Sequence, residues 1–362
     1  MRPTPKGYLP TLDGWRAIAI LGVLIAHGTD ALFAPGAATA DPTLYMLTRY
    51  GAKGVDLFFG ISGFLICSRL LEEYDQRGEI SLKGFYIRRF LRILPPYLVY
   101  LVVIALLAAA GTLPVTRREL VFSAVFLRNY WSHAAEAAWY TGHLWSLAVE
   151  EHFYLIWPAM LVIFRRRGAL MNAAMLAIAI AVWRYVVFHW PGADPFSPAL
   201  SRFERTDLRL DALLWGCVMA LAFWRPGLRE RLTRWLTTPT WTVACGALLL
   251  VMILQPPFAL MWQAMLIPIV LAGTVLHPGG RAGRLLESPP ARWIGRISYS
   301  LYLWQTLFLV AWGIDRPFGA AQQLPLNVVL VFACAVISYH AVERPMIRLG
   351  HRLAPPTTEG RL

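Results

Sequence analysis

The stretch LDGWRAIAILGVLIAHG, Leu12 to Gly28, decides the class of this chain. It is long and apolar enough to cross a bilayer as a helix, which takes about 17–25 residues. Yet it carries Asp13, Arg16 and His27. Arg16 and His27 stand eleven residues apart, close to three helical turns. They therefore share one face, about 16 Å apart along the axis. Asp13 lies one turn from Arg16 on the same side. Ionisable groups inside a membrane helix are costly and turn toward a polar cavity or a partner. A histidine placed there can move protons near neutral pH. The helix reads as one wall of an intramembrane active site. The plain alternative for His27 is a packed ring hydrogen-bonded to a neighbouring helix.

Composition agrees with a membrane protein. Of 362 residues, 57% are hydrophobic and 15% charged, and mean hydropathy is +0.50, too apolar for an ordinary soluble domain. The net charge of +13 raises the question of nucleic acid. The basic residues, however, form short clusters between apolar stretches, which is the pattern of membrane topology, so no nucleic-acid partner is expected. The N-terminus lacks a small-residue cleavage site, so a retained first helix is expected rather than a cleaved leader. Cys67, Cys217, Cys245 and Cys334 are scattered, with no CxxC pair, and read as buried hydrophobes.

The expected fold is an all-α polytopic bundle of about ten spans. Their approximate cores are 12–28, 52–71, 92–110, 143–164, 170–190, 207–224, 238–255, 258–277, 297–314 and 325–343. The regions 32–50 and 120–130 read as extramembrane or re-entrant. With the N-terminus in the cytoplasm, about 23 Lys and Arg fall inside and about nine outside, which satisfies the positive-inside rule and puts both termini in the cytoplasm. Residues 1–349 form one membrane domain, and 350–362 a short polar, disordered tail. No internal repeat is visible. The outer loop 111–142 holds Trp131, His133, Trp139 and Tyr140, an interfacial belt or a lid over a carbohydrate site.

Further polar residues enter the apolar segments. HLWSLAVEEHFYLIWP, His143 to Pro158, sets His143, Glu150 and Tyr154 on one face, with Glu151 rotated about 100° from Glu150. Glu150 is a candidate to orient or charge-balance His27; an arginine partner elsewhere is the structural alternative, and Glu151 the more structural of the two. GVDLFFGISGFLIC, Gly54 to Cys67, holds Asp56 and Ser62, with Gly60 and Gly63 read as packing positions. FYIRRFLRILPPY, Phe85 to Tyr97, presents Arg88, Arg89 and Arg92. Arginine forks suit phosphates, although basic residues at a helix end also serve as plain anchors. FERTDLRLDALLWG brings Asp207, Arg209 and Asp211, and ISYSLYLWQ brings Ser298, Tyr302 and Gln305. Both read as hydrogen-bond glue or cavity lining. His340 and Glu343-Arg344-Pro345 read as a structural end of the last span. No GxGxxG, Walker or HExxH pattern occurs, so neither nucleoside triphosphate chemistry nor a metal site is expected.

Taken in order, these stretches, with a closing Glu343-Arg344-Pro345, resemble the acyltransferase type 3 membrane family over residues 12–345. That family includes O-acetyltransferases of lipopolysaccharide, peptidoglycan, nodulation factors and some antibiotics. The resemblance implies acyl transfer from cytosolic acyl-coenzyme A, as cosubstrate, to a hydroxyl presented outside, most simply on a sugar. It implies a bacterial inner (cytoplasmic) membrane location. It maps the family's basic residue and catalytic histidine onto Arg16 and His27, its paired arginines onto Arg89 and Arg92, and its acidic position onto Glu150 and Glu151. His152 stands where glutamine is commonest and Gly60 where a bulkier aliphatic is usual, which leaves the acceptor open. Some relatives carry a fused extracytoplasmic domain; here a partner is expected to do any further acyl handling.

The expected site is thus His27, Glu150 and Asp13 for catalysis, and Arg16, Arg88, Arg89 and Arg92 for coenzyme A. Asp56, Ser62, Glu151, Tyr154, Arg209, Asp211 and Tyr302 are further candidates. The pantetheine arm would thread the bundle past Arg16 to His27, acting as base or as transient acyl carrier. The rival reading is a proton-coupled transporter or flippase using the same polar residues, or else an assembly subunit with a polar core.

Overall fold

The computed structural model describes residues 8–33, 41–130, 139–196 and 203–354. Among these every regular element is helical. In chain order the principal helices are α1 (Pro10–Leu32), α2 (Gly54–Arg77), α3 (Leu82–Ala109), α4 (Leu144–Ile163), α5 (Arg165–His189) and α6 (Asp211–Trp224). There follow α7 (Pro226–Trp235), α8 (Thr238–Leu254), α9 (Ala259–Leu276), α10 (Pro289–Phe308) and α11 (Leu326–Ser338). A π-helical turn, Tyr339–Glu343, joins α11 to α12 (Arg344–Leu353).

All ten apolar segments fall in helices, but fewer are long and apolar enough to cross a membrane. Among the described residues seven qualify, or eight if α7 and α8, bent by 85°, count as one span. The shortfall has local causes. The 207–224 segment breaks after the single turn Thr206–Arg209, leaving α6 with 14 residues. The 297–314 segment belongs to α10, which ends at Phe308 and carries Arg292, Arg296, Ser298, Ser300 and Gln305. Region 32–50 is not merely loop: Pro42–Gly51 is a helix whose Gly51 lies on the backbone of Gly22. In 120–130 a short helix, Arg117–Ala124, is closed by a Thr116–Glu119 capping box. Trp131 and His133 lie outside the described residues. The boundary expected at 349 falls inside α12, whose Gly350 is buried against Arg88 and Leu91 of α3, and Ala354 is also buried.

Two apolar clusters make the core. One is built mainly from α2, α4, α5, α6 and α9 and the other from α3, α10 and α11; α1, α3 and α4 contribute to both, α1 through Leu12 to the first and Ile20 and Val23 to the second. Helices in lipid gain no hydrophobic drive from meeting one another, so close backbone approach matters most. A Cβ on Gly63 of α2 would stand 1.9 Å from the carbonyl oxygen of Leu213 in α6. A Cβ on Gly295 of α10 would stand 1.9 Å from that of Asp13 in α1. Ala169, Ala173, Ala177 and Ala181, one turn apart, give α5 an equally flat buried stripe.

Gly63→Ala is therefore expected to destabilise by about 1–3 kcal/mol or more through overpacking. Gly246→Ala in α8, where an added Cβ meets nothing within 4 Å, is expected to be neutral or slightly stabilising. Thermal melts of the two detergent-purified variants beside the parent check this.

Candidate active site

At one end of the bundle lies a cavity of about 340 Å³, with a rim built from arginines. Ser81 caps α3 by accepting from the Gly84 amide at 3.1 Å, which sets the helical phase that turns Arg88, Arg89 and Arg92 into the cavity. Arg16 of α1, Arg69 of α2 and Arg296 of α10 complete the basic rim. Arg16, Arg88, Arg89 and Arg92 are residues the sequence singles out; Arg296 lies in a segment too polar to read as part of a span.

The arginines are unequally engaged. Arg88 Nη2 donates to Glu73 Oε2 at 3.1 Å, and Arg77 approaches the same carboxylate at 3.7 Å. Arg89 Nη2 lies 3.7 Å from Glu150 Oε2, and its guanidinium covers the Tyr154 ring at 3.5 Å. Arg92 has no direct hydrogen-bond or ion-pair partner among the described residues, and its charge acts on Arg16 and Glu343. Arg88 Nη1 and Arg89 Nε are buried without an acceptor. Buried donors of this kind call for an acceptor that the protein does not supply. Glu343 lines the same cavity and accepts from Ser300 Oγ at 2.8 Å. It sits in the π-helical turn, a distortion frequent at functional sites. Sequence reading took it for a structural helix end, because spacing does not reveal a π turn.

Asp13 lies at this basic end, away from His27. Tyr8 donates to it, and Arg16 and Arg296 lie 3.8 and 3.9 Å away. Burial, then the hydrogen bond to Asp13, pushes the Tyr8 phenol up, which keeps it a neutral donor. Fourteen residues of helix, about 21 Å of rise, separate Asp13 from His27.

Beyond the rim a smaller chamber of about 70 Å³ runs inward. It shares Arg16, Arg89 and Arg92 with the first cavity and continues past Ser62 and Glu150 to Ser146 and Tyr302. Glu150 is fully occupied there: Ser62 Oγ donates to Oε1 at 3.0 Å and Tyr154 OH to Oε2 at 2.7 Å. It is thus the partner of Arg89, not of His27, which corrects the orienting role expected of it. Glu151 lines neither cavity, and its buried Oε1 has no partner.

At the inner end of the chamber Tyr302 OH donates to the His143 carbonyl at 2.8 Å and meets Ser146 Oγ at 2.7 Å. His143 Nδ1 meets Thr306 Oγ1 at 3.1 Å. His27 lines neither cavity and lies beyond this end. Its Nδ1 lies 3.1 Å from Gln305 Oε1, and its ring meets the edge of Trp139 at 5.5 Å between centroids. Trp139 is fixed by donating to the Thr306 carbonyl at 3.1 Å. Gln305, read as glue or lining, is the direct partner of His27.

Three further candidates are held elsewhere. Asp56 and Arg209 bond each other, with Lys53 3.7 Å from Asp56 and Arg209 set over Trp145 at 5.5 Å. Asp211 makes a two-bond fork with Arg184 at 2.7 and 2.8 Å, both residues buried. These carboxylates line neither cavity. No cluster of metal-ligating side chains occurs among the described residues.

Removing one member of a buried pair strands a charge, at about 3–5 kcal/mol. Asp211→Ala is expected to lower the melting temperature strongly, and adding Arg184→Met to recover most of the loss. A double-mutant cycle on melting checks this. Loss of activity with unchanged stability in Asp211→Ala would instead place Asp211 in the site.

A family model described as an acyltransferase domain matches residues 9–340. The peptidoglycan O-acetyltransferase OatA of Listeria monocytogenes is 29% identical over 95% of this chain and 57% of its own length. A putative peptidoglycan O-acetyltransferase of Bacillus subtilis is 31% identical over 95% of this chain and 56% of its own. A putative O-acetyltransferase of Staphylococcus aureus is 28% identical over 95% and 58%. The chain therefore spans just under three-fifths of these relatives' length. No solved structure matches it. With the family model covering more than nine-tenths of its length, including the first helix, the chain belongs to the acyltransferase family, as an integral multi-pass membrane member.

Proposed function

We propose that this chain is a membrane O-acetyltransferase that takes its acyl group from acyl-coenzyme A at the basic end and delivers it beside His27. The acceptor is the hydroxyl of a cell-envelope sugar, the class named in the peptidoglycan relatives. The observation that carries this reading is the run of polar side chains from the basic rim toward His27. A rim of arginines with unanswered donors opens into a chamber sharing Arg16, Arg89 and Arg92 that reaches Ser146 and Tyr302. From there the Tyr302–His143, His143–Thr306 and Thr306–Trp139 contacts lead to the His27 ring.

The chemistry assigned to each group follows from its type. Arg88 and Arg92, with Arg16 and Arg296 nearby, take phosphates as forked donors. Arg89, already neutralised by Glu150 and stacked on Tyr154, holds the narrow point between the two cavities. The rise from Arg16 to His27, about 16 Å, suits the length of a pantetheine arm. His27 then acts as general base. The acceptor O–H bond breaks to the ring nitrogen, the oxygen bonds the acyl carbon, and the C–S bond breaks. The departing thiolate takes the proton back from the imidazolium, so no net charge is made. In this reading the basic end faces the cytosol, as the positive-inside rule asks, and the membrane is the bacterial cytoplasmic one.

Purified protein with radiolabelled acetyl-coenzyme A is expected to release or transfer label, and His27→Ala to do so about 10²- to 10⁴-fold more slowly. Arg92→Gln is expected to weaken coenzyme A binding by calorimetry while the protein stays folded. Full turnover by His27→Ala would remove the base assignment. Failure of the parent protein to bind coenzyme A would remove the donor and favour a transporter.

A further inference from the structure

Gln305 is fully buried on α10, and its amide has two ends with different fates. Its Oε1 lies 3.1 Å from His27 Nδ1. Its Nε2 is buried with no acceptor among the described residues. A carbonyl oxygen has no proton to give, so in this pair the ring nitrogen donates and Nδ1 carries the hydrogen. A neutral imidazole has only one N–H, so Nε2 of His27 is then left with its lone pair.

We infer that Gln305 is a positioning residue, which fixes His27 in the Nδ1–H form so that Nε2 faces the reaction as the base, and which offers its own idle amide N–H groups to an oxygen of the acyl group or acceptor. The inference rests on the base role of His27 proposed above and names what orients that base. A neutral amide suits the place. It fixes the tautomer as a carboxylate does, without adding a full charge to a ring enclosed by Trp139 and α10. The opposite amide orientation would have the opposite effect: Nε2 of the amide would donate to Nδ1, and the hydrogen would sit on the ring nitrogen needed as base. The other titratable groups acting on His27 are Asp30, one turn further along α1, and His143 at the start of α4. Neither makes a hydrogen bond to the ring among the described residues.

The test compares Gln305→Leu, Gln305→Glu and His27→Ala in the full chain, by acetyl transfer across a pH series with melting temperatures measured alongside. Gln305→Leu is expected to lose at least about tenfold in kcat with little change in KM for acetyl-coenzyme A. Gln305→Glu, which can only accept from the ring, is expected to keep a substantial kcat. Its rate should fall off on the acid side at higher pH than the parent's, because the carboxylate favours the protonated ring. A Gln305→Leu enzyme with parental kcat and pH profile overturns the inference and leaves the base role standing, provided His27→Ala is inactive. So does a Gln305→Glu enzyme that melts normally but is as slow as Gln305→Leu. If His27→Ala itself turns over at the parental rate, the base reading falls and this inference with it.

Discussion

The backbone contact between Gly295 and Asp13 sets how α1 and α10 lie together, and the candidate site follows from it. The two helices run parallel. Tyr8 meets Arg292, Asp13 meets Gly295, His27 meets Gln305, and the Asp30 carbonyl accepts from the Trp312 amide. One crossing thus registers both ends of the track. At the basic end it brings Arg296 to Asp13, and at the far end it brings an amide to an imidazole. A side chain at residue 295 would lift the helices apart and undo both at once.

The distribution of carboxylates explains why the rim stays basic. Glu73 is spent on Arg77 and Arg88, Glu150 on Arg89, Asp56 on Arg209 and Asp211 on Arg184. Among the described residues Asp13, Glu72, Glu73 and Glu343 line the cavity beside Arg16, Arg69, Arg88, Arg89, Arg92 and Arg296. In a medium of low dielectric such imbalance is expensive, and it persists where an anion completes the set. The paired carboxylates hold helices together, while Arg92 has no direct partner and Arg88 Nη1 and Arg89 Nε no acceptor among the described residues.

Much of this was legible in the chain. Helical periodicity alone put Arg16 and His27 on one face, and Arg88, Arg89 and Arg92 line one cavity as their clustering at a span end implied. What sequence could not supply was pairing between helices. In sequence Glu150 suits either His27 or an arginine, because its partner depends on the depth and rotation of α4 against α3; the partner is Arg89. The same gap hid Gln305, whose meaning lies in what it touches across 278 positions. Apolar composition alone does not tell a long continuous helix from one that is broken, as at Arg209, or bent, as between α7 and α8, so fewer than ten described helices are long and apolar enough to span.

The Asp13–Arg16 contact within α1 has a consequence for biogenesis. In the finished protein Asp13 is also met from α10 by Arg296, but Gly295 follows Asp13 by 282 residues. At ribosomal speeds that interval is about 15 to 60 s. For all of it α1 must reside in or beside the bilayer with its future partner unmade. Two opposite charges one turn apart on the same helix can neutralise each other locally, without help from any later segment. The pair can thus balance its own charge within α1, before α10 is available.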